Sequence, residues 1–255
     1  MADAVDAAAL AHLAEEAWRL HAEASNRTTS VVRPSMPILY FGDVDRYHSS
    51  ELRIITVGLN PSGEEFPTAD PWLRFPEGST FDVHGLDLEA YFRSLDRYFH
   101  RDRHPYMRWF GMAFGALLRG LDASYEPALP NTAIHTDLCS PVATDPTWSG
   151  LARRDQAALA GGYDLWHRLV QALRPHVILM SVAERHLDKV TLPMDGDWVP
   201  IHQITRARPY EFRARRVQTT VPCLLVWGRA AQLPFGSVSN LDKQAAGVAI
   251  KALIR

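Results

Sequence analysis

The run Arg53-Ile54-Ile55-Thr56-Val57-Gly58-Leu59-Asn60-Pro61-Ser62 is the most informative stretch of this 255-residue chain. Its β-branched first half predicts a buried strand, and the Asn-Pro pair predicts a turn where that strand ends. Further strand candidates follow with helical patterns between them, at residues 131–138, 176–180, 198–204 and 221–227. Strands that alternate with helices predict an α/β fold, a three-layer α/β/α arrangement around a central, mainly parallel sheet.

Helical spacing of apolar residues predicts the other elements, at residues 7–25, 86–99, 107–121, 151–173 and 241–254. Residues 64–80 are rich in proline, acidic and aromatic side chains, so we expect irregular structure there. A length of 255 residues fits a single domain. We expect residues 1–50 to form a helical N-terminal extension packed on it.

Composition excludes several classes of protein. The net charge of −2 gives no sign of a strongly basic nucleic-acid binder, although a local basic patch would suffice. The two cysteines cannot supply a four-thiolate metal site, and no cofactor or metal is expected. The first twelve residues lack a basic signal region, and no apolar run is long enough to cross a bilayer. A reducing, cytoplasmic setting without membrane attachment is therefore expected.

Ligands of parallel sheets bind beyond the carboxyl ends of the strands. This rule selects three loops, which follow Leu59, Leu138 and Trp227. In the first loop, Gly58 allows a ligand to approach the backbone, and Pro61 fixes the turn from which Asn60 projects. On this segment alone, a plain β-turn is the simpler interpretation of the Asn-Pro pair.

The segment Gly58-Leu59-Asn60-Pro61 resembles the first motif, Gly-x-Asn-Pro, of the uracil-DNA glycosylase superfamily in its mismatch-specific and single-strand-selective branches. His104-Pro105 with Arg108-Trp109-Phe110 is similar to the helix start that follows this motif. The resemblance covers about residues 54–254. It implies a uracil-DNA glycosylase-like fold, a monofunctional glycosylase that leaves an abasic site, DNA as the partner without an obligate protein partner, and a water positioned by Asn60.

The second loop carries Thr136-Asp137-Leu138-Cys139, which resembles a family element that has Asn in most members where this chain has Asp137. That amide reads uracil, whereas a carboxylate accepts from the exocyclic amine of cytosine. Asp137 therefore predicts a cytosine-type base, unless it merely caps the turn before Pro141. Ser62 stands where the uracil-specific branch has a Tyr that blocks C5. A C5-modified cytosine, hydroxymethylated or glucosylated as in phage DNA, would fit, and a phage-defence role would follow.

The third loop departs from the family, because its usual His-Pro-Ser-Pro-Leu motif is replaced by residues 228–236 without a histidine. Gln232 is the candidate donor to the base O2, and Leu233 or Phe235 the candidate wedge into the DNA stack. An aromatic ring should stack on the flipped base; Phe75 is preferred over Phe66 and Phe99, with core packing as the alternative for each. The predicted base-binding residues are Gly58, Leu59, Ser62, Phe75, Asp137 and Gln232, and the predicted DNA-binding residues are Pro61, Arg108, Arg229, Leu233 and Phe235.

Two alternatives to a modified-cytosine glycosylase remain open from the sequence. One is a uracil or hypoxanthine glycosylase, and the other is a non-catalytic DNA- or base-binding module on the same fold. The arginine-rich stretch at residues 206–216 is interpreted either as a contact to DNA phosphates or as a solvated charged hairpin.

Overall fold

A computed structural model describes residues 7–81, 86–100, 107, 109–205, 209–230 and 233–254. The chain divides into two compact units. Unit 1 comprises Met1–Val44, Gly58–Pro105 and His135–Ala172, and unit 2 comprises Asp45–Val57, Tyr106–Ile134 and Leu173–Arg255. Each is described by itself below.

The protein is an α/β protein with a seven-stranded, mostly parallel mixed sheet, in the order β2-β3-β1-β4-β7-β6-β5. The strands are β1 (Ile54–Gly58), β2 (Ala123–Ser124), β3 (Asn131–Asp137), β4 (Val177–Met180), β5 (Met194–Ile204), β6 (Tyr210–Gln218) and β7 (Pro222–Gly228). Parallel pairs join β2 to β3, β1 to β4 and β4 to β7. Strand β6 runs antiparallel to both β5 and β7. The predicted α/β class is confirmed.

All five strands predicted from the sequence are present, within a few residues of their expected bounds. Strand β1 is buried along its whole length, as its continuous apolar run indicates. Strand β6 was not predicted, because its arginines obscure an alternation in which Tyr210, Phe212 and Ala214 are buried. From Tyr210 on, the arginine-rich stretch is the second strand of an antiparallel β5–β6 hairpin, as the hairpin interpretation expected, but Arg213 and Arg215 are half-buried rather than fully solvated. Residues 206–208 lie outside the described residues.

The described α-helices are α1 (Ala7–Arg27), α2 (Val44–Ser49), α3 (Leu88–Asp96), α4 (Gly115–Gly120), α5 (Arg153–Ala158), α6 (Gly162–Leu173) and α7 (Asn240–Ile254). Short 3-10 helices span Gly63–Glu65, Pro76–Thr80, Trp148–Gly150 and Glu184–Lys189. None of the helices in the described ranges is long and apolar enough to cross a membrane.

Two helical predictions were too long. The helix expected at 107–121 is limited to α4. Residues 109–114 form turns, and they include Gly111, which favours helix poorly. The helix expected at 151–173 is divided into α5 and α6 at the Gly161-Gly162 pair. A β-carbon at Gly162 would overlap the carbonyl oxygen of Cys139, so this backbone is pressed against the second loop.

Helices α1 and α5 pack together in unit 1, where the N-terminal residues belong to the same compact body as the first two loops. Thr28 Oγ1 donates to Asp155 Oδ1 at 2.9 Å, and Arg168 Nη2 donates to Glu16 Oε1 at 2.6 Å. The N-terminal helix is thus tied to the segment that follows β3.

Helices α4 and α7 pack closely in unit 2. A β-carbon at Gly120 would overlap the carbonyl oxygen of Gln244 and lie 2.8 Å from Cα of Gly247. Beside this crossing, the ring of Phe235 contacts those of Phe114 and Phe212, with centroids 5.6 and 5.3 Å away.

Candidate functional site

The first and second loops are joined by backbone hydrogen bonds in unit 1. The amide of Leu138 donates to the carbonyl oxygen of Gly58 at 3.0 Å, and that of Cys139 donates to Leu59 at 2.8 Å. The amide of Thr144 donates to the carbonyl oxygen of Pro61 at 3.1 Å. The two loops selected by the carboxyl-end rule therefore form one structural unit.

Asp137 lies directly against Gly58. A β-carbon at Gly58 would overlap Oδ1 of Asp137 and lie 3.0 Å from Nε2 of His135, so a side chain at this position would force Asp137 to shift. Asp137 Oδ1 and His135 Nε2 are 3.7 Å apart, and only 4% and 2% of the two side chains are exposed. The sequence prediction of a carboxylate beside the first motif thus corresponds to a contact in the structure.

The side chain of Asn60 holds the two loops together. Its Nδ2 donates to the carbonyl oxygens of Pro61 and Val142 at 2.9 and 3.2 Å, and to Thr144 Oγ1 at 2.8 Å. Its Oδ1 accepts from the backbone amide of Trp148 at 2.8 Å. The donor capacity of the amide is filled by protein atoms, whereas an amide oxygen accepts two hydrogen bonds and has only this one among the described residues. The side chain is half-buried.

Next to Asn60, the first loop contains a buried hydroxyl without a partner. Oγ of Ser62 makes no hydrogen bond to any residue of the described ranges. A buried polar group of this kind calls for a ligand or water as its partner. Pro61 is buried and Leu59 is half-buried, so Pro61 offers little surface to DNA in this structure.

A buried ionic cluster follows the first loop and was not found by sequence reasoning. Glu65 Oε2 accepts from Arg74 Nη1 at 3.0 Å and from the Tyr98 hydroxyl at 2.6 Å, and the Glu65 side chain is 4% exposed. Burial raises the pKa of Glu65 above its ordinary value. The charge of Arg74 lowers this pKa, as do the hydrogen bonds from Tyr98 and Arg74, and the negative charge of Asp137 raises it further. Glu65 and Asp137 are therefore electrostatic neighbours. A carboxylate five positions after Asn60 was the one signal available in the sequence.

The aromatic candidates for base stacking form a core cluster. Phe75 is fully buried, and its ring stacks at 5.4 Å on both Phe66 and Tyr98. Phe66 and Phe99 are buried as well, at 3% and 6% exposure. In this structure the ordinary packing alternative accounts for all three phenylalanines, and none offers an exposed ring to a base.

The third loop belongs to unit 2. Phe235 is fully buried at a φ of 51°, which fits a core residue at a turn rather than an exposed wedge. Leu233 is half-buried and Arg229 is exposed, so both have surface from which DNA could be contacted. Gln232 and Arg108 lie outside the described residues, as do His104 and Pro105.

The arginines of β6 alternate with its buried residues. Arg213 pairs with Glu211 on the same strand, and Glu211 also accepts from Gln203 Nε2 at 3.0 Å. Arg213 and Arg215 are half-buried, and Nε of Arg215 is buried without a partner in the described part of the chain. One face of β6 is therefore basic and half-exposed.

Comparison of the chain with protein-family models finds no match, and neither does comparison with curated proteins. Within the described ranges, no group of three or more His, Cys, Asp or Glu side chains is placed to hold a metal ion.

Proposed function

We propose that this protein is a monofunctional DNA glycosylase of the uracil-DNA glycosylase type, with a three-layer α/β/α fold, that removes a C5-modified cytosine from DNA. The observation that carries the proposal is the contact between the two loops at the carboxyl ends of β1 and β3. There the Asp137 carboxylate lies against Gly58 of the Gly-x-Asn-Pro segment. A base held at this edge would meet a carboxylate that accepts from the cytosine amine.

Asn60 would orient the attacking water through its amide oxygen. That oxygen accepts the Trp148 amide, and its second lone pair is available to a water. The hydrogen bonds from Nδ2 to the second loop hold the amide in a fixed orientation, which is what positioning a nucleophile requires. Water attacks C1′ as the glycosidic bond breaks and the base leaves, and the proton lost by the water passes to a basic group or to solvent.

Buried carboxylates near the sugar would favour the cationic, oxocarbenium-like transition state. Glu65 and Asp137 are both buried, and the negative charge of Asp137 raises the pKa of Glu65. A developing positive charge between them would relieve this repulsion, and the low dielectric strengthens the interaction. Access to Asp137 requires the protein around it to rearrange, because its side chain is only 4% exposed.

Ser62 and Gly63 lack a bulky side chain that would block a substituent at C5. A β-carbon at Gly63 would lie 3.5 Å from Val32 Cγ2 and 3.6 Å from Cβ of Asp145, so one added carbon fits there at ordinary contact distance, and a larger group would need these side chains to shift. The unpartnered Ser62 hydroxyl would hydrogen-bond a hydroxymethyl group or its sugar. Selection for a bulky C5 group would spare ordinary cytosine and suit a defence against phage DNA.

The proposal is tested by excision assays on duplexes that carry uracil, cytosine or glucosylated hydroxymethylcytosine, with mass spectrometry of the released base. We expect release of the modified cytosine alone, and Asn60→Ala to abolish it. Thr144→Val is the graded comparison, because it removes one of the hydrogen bonds that orient Asn60 and keeps the amide oxygen, so release should fall without being abolished. Uracil as the preferred substrate, or no release of any base, would contradict the proposal.

The hydrogen bonds that Asn60 already makes to protein atoms favour a second candidate function, a non-catalytic DNA- or base-binding module. Four protein groups already contact this amide, as expected of a purely structural residue. The same assays separate the two candidates, because a binding module retains modified DNA without forming abasic sites. If the protein is a binding module, no base is released by the native protein, and Asn60→Ala and Thr144→Val should lower the free energy of unfolding by similar amounts.

A further inference from the structure

A short turn between the second loop and helix α5 contacts Asn60 in unit 1. This turn is the 3-10 helix Trp148–Gly150. The backbone amide of Trp148 donates to Asn60 Oδ1 at 2.8 Å, on the oxygen that would orient the attacking water. The carbonyl oxygen of the same residue accepts from Gln156 Nε2 at 2.9 Å. Gln156 is thus linked to Asn60 through a single residue.

The two hydrogen bonds hold the peptide groups on either side of the Trp148 Cα atom. The N–H belongs to the planar peptide group that precedes this atom, and the carbonyl oxygen belongs to the one that follows it. The indole ring is 3% exposed and packs edge-to-face on Tyr163, with ring centroids 5.9 Å apart. Trp148 is therefore restrained at both peptide groups and at its side chain, which fixes the direction of its N–H.

The start of the same segment determines which way round the Asn60 amide lies. Thr144 Oγ1 donates to the carbonyl oxygen of Pro146 at 2.8 Å, so the single hydroxyl proton is used there. Toward Asn60 the hydroxyl can then only accept, and it does so from Nδ2 at 2.8 Å. The amide NH2 group therefore lies beside Thr144, and the amide oxygen lies beside the Trp148 N–H. The reverse orientation would place acceptor against acceptor and donor against donor.

The turn does not depend on Gln156 alone for its integrity. The Trp148 carbonyl oxygen also accepts from the backbone amide of Leu151 at 3.2 Å. This hydrogen bond stays when the Gln156 side chain is removed, so the carbonyl group is not left unpaired. Helix α5 has a tie of its own to the N-terminal segment, from Thr28 Oγ1 to Asp155 Oδ1 at 2.9 Å. Loss of the Gln156 side chain should therefore loosen the orientation of Trp148 without unfolding the chain.

We propose that Gln156 is a positioning residue for the amide of Asn60 and acts through the peptide groups of Trp148. This role rests on the proposed glycosylase activity, since it concerns the same site. Gln156 keeps the Trp148 N–H on one lone pair of Asn60 Oδ1, so that the second lone pair holds the attacking water in one direction. It acts on the direction of the water and not on the binding of the base, so the rate of bond cleavage depends on it and the affinity for DNA does not.

Single-turnover excision from a duplex that carries glucosylated hydroxymethylcytosine tests this role. For Gln156→Leu we expect the rate at saturating protein to fall by about tenfold to a hundredfold, as for a misplaced reacting group, at an unchanged half-saturating protein concentration. Asp155→Ala is the matched control, because it removes a side-chain hydrogen bond from the neighbouring residue of α5 and leaves Gln156 in place. Its excision rate should stay near the native value even if its free energy of unfolding is lower.

Gln156→Glu gives a measurement that a purely structural role would not move. An ionised carboxylate cannot donate to the Trp148 carbonyl oxygen, whereas a protonated carboxyl group can. The excision rate of this variant, divided by the native rate at the same pH, should therefore rise as pH falls toward the ordinary glutamate pKa of about 4.3. The same ratio for Gln156→Leu should stay constant. A ratio for Gln156→Glu that does not change with pH would contradict the role.

A spectroscopic measurement separates this role from the proposed activity. In ¹⁵N-labelled protein, the side-chain NH2 signals of Asn60 are assigned by their loss in Asn60→Ala. They should shift and exchange faster with water in Gln156→Leu, and stay as in the native protein in Asp155→Ala. If the native protein releases no base, the proposed activity fails, and these signals still decide whether Gln156 fixes the amide.

Thermal unfolding of each variant confirms that it folds, and Gln156→Glu serves in both experiments if Gln156→Leu does not fold. Unchanged Asn60 signals in a folded Gln156 variant would overturn the positioning role. Equal losses of excision rate in Gln156→Leu and Asp155→Ala would overturn it as well, because they would show a general loosening of α5.

Discussion

The hydroxyl of Tyr98 donates a 2.6 Å hydrogen bond to Oε2 of Glu65, inside a buried cluster that also holds Arg74. Burial nevertheless raises the pKa of Glu65 above its ordinary value of 4.5. The folded protein therefore keeps this proton at pH values where the unfolded chain has lost it. Stability from this group is complete below the unfolded pKa and is lost as pH rises through the folded pKa.

Glu65→Gln should remove this pH dependence. As pH rises from below 4.5, we expect the free energy of unfolding of the native protein to fall relative to that of the variant. The fall should amount to about 1.4 kcal/mol per unit of pKa difference between the folded and unfolded states. Urea denaturation across a pH series measures it.

Tyr98→Phe is the matched variant for this measurement. It removes a hydrogen bond that lowers the pKa of Glu65, so the fall in stability should extend to higher pH than in the native protein. Parallel stability curves for the native protein and Glu65→Gln would show that the carboxyl group has the same pKa in both states.

Gly58→Ala should damage both stability and the candidate site. The added β-carbon would overlap Oδ1 of Asp137, and forcing such an overlap costs about 1–3 kcal/mol in packed interiors. Gly63→Ala is the control from the same loop, since its β-carbon would be 3.5 Å from the nearest atom. Equal free energies of unfolding for the two variants, measured by chemical denaturation, would contradict a close approach of Asp137.

The parts of the fold with a strong local pattern could be predicted from sequence. Strands β1 and β7 have continuous apolar runs, and the turn after β1 has the Asn-Pro pair, so these elements follow from local chemistry. Strand β6 escaped prediction because Arg213 and Arg215 occupy its half-exposed face and hide the alternation. A sheet neighbour on each side stabilises that strand, which no local pattern records.

The candidate site was predictable only in part, because local sequence patterns do not record contacts between distant parts of the chain. Gly58 and Asp137 were selected because the carboxyl ends of neighbouring parallel strands meet at one edge of a sheet. Glu65 was missed because its partners are nine and 33 residues further along the chain, in a segment with no regular pattern. The roles of Phe75 and Phe235 depended on burial, and a hydrophobic side chain in an irregular segment does not reveal which way it faces.

Phe75→Ala should act as a core truncation. Its ring is fully buried between other aromatic rings, so we expect a loss of about 3–5 kcal/mol in the free energy of unfolding. Leu73→Ala, in the same segment at 39% exposure, should change it little. A Phe75 variant with native stability and impaired base binding would instead restore the base-stacking role.

Gly247→Ala should weaken the crossing of α4 and α7. The new β-carbon would overlap the carbonyl oxygen of Leu117, a backbone atom that cannot rotate away. We expect a loss of about 1–3 kcal/mol despite the better helix propensity of alanine. Gly115→Ala provides the comparison on α4, because its β-carbon would meet only Arg119 Nη1 at 3.6 Å. Thermal unfolding distinguishes the two, and a lower melting temperature for Gly115→Ala would refute the packing argument.

Asp137→Asn should change which base is accepted. The two side chains have nearly the same shape, so the fold and the contact with Gly58 should persist, while the acceptor-only carboxylate becomes an amide that also donates. The carboxylate of Asp137 would accept from the cytosine amine, whereas the NH2 group of the asparagine can donate to the O4 carbonyl of uracil. One such pairing gives about 1–3 kcal/mol of discrimination between bases. The ratio of kcat/KM on modified-cytosine and uracil duplexes measures the shift. An unchanged ratio at native stability would mean that Asp137 does not touch the base and serves to hold His135 and the second loop.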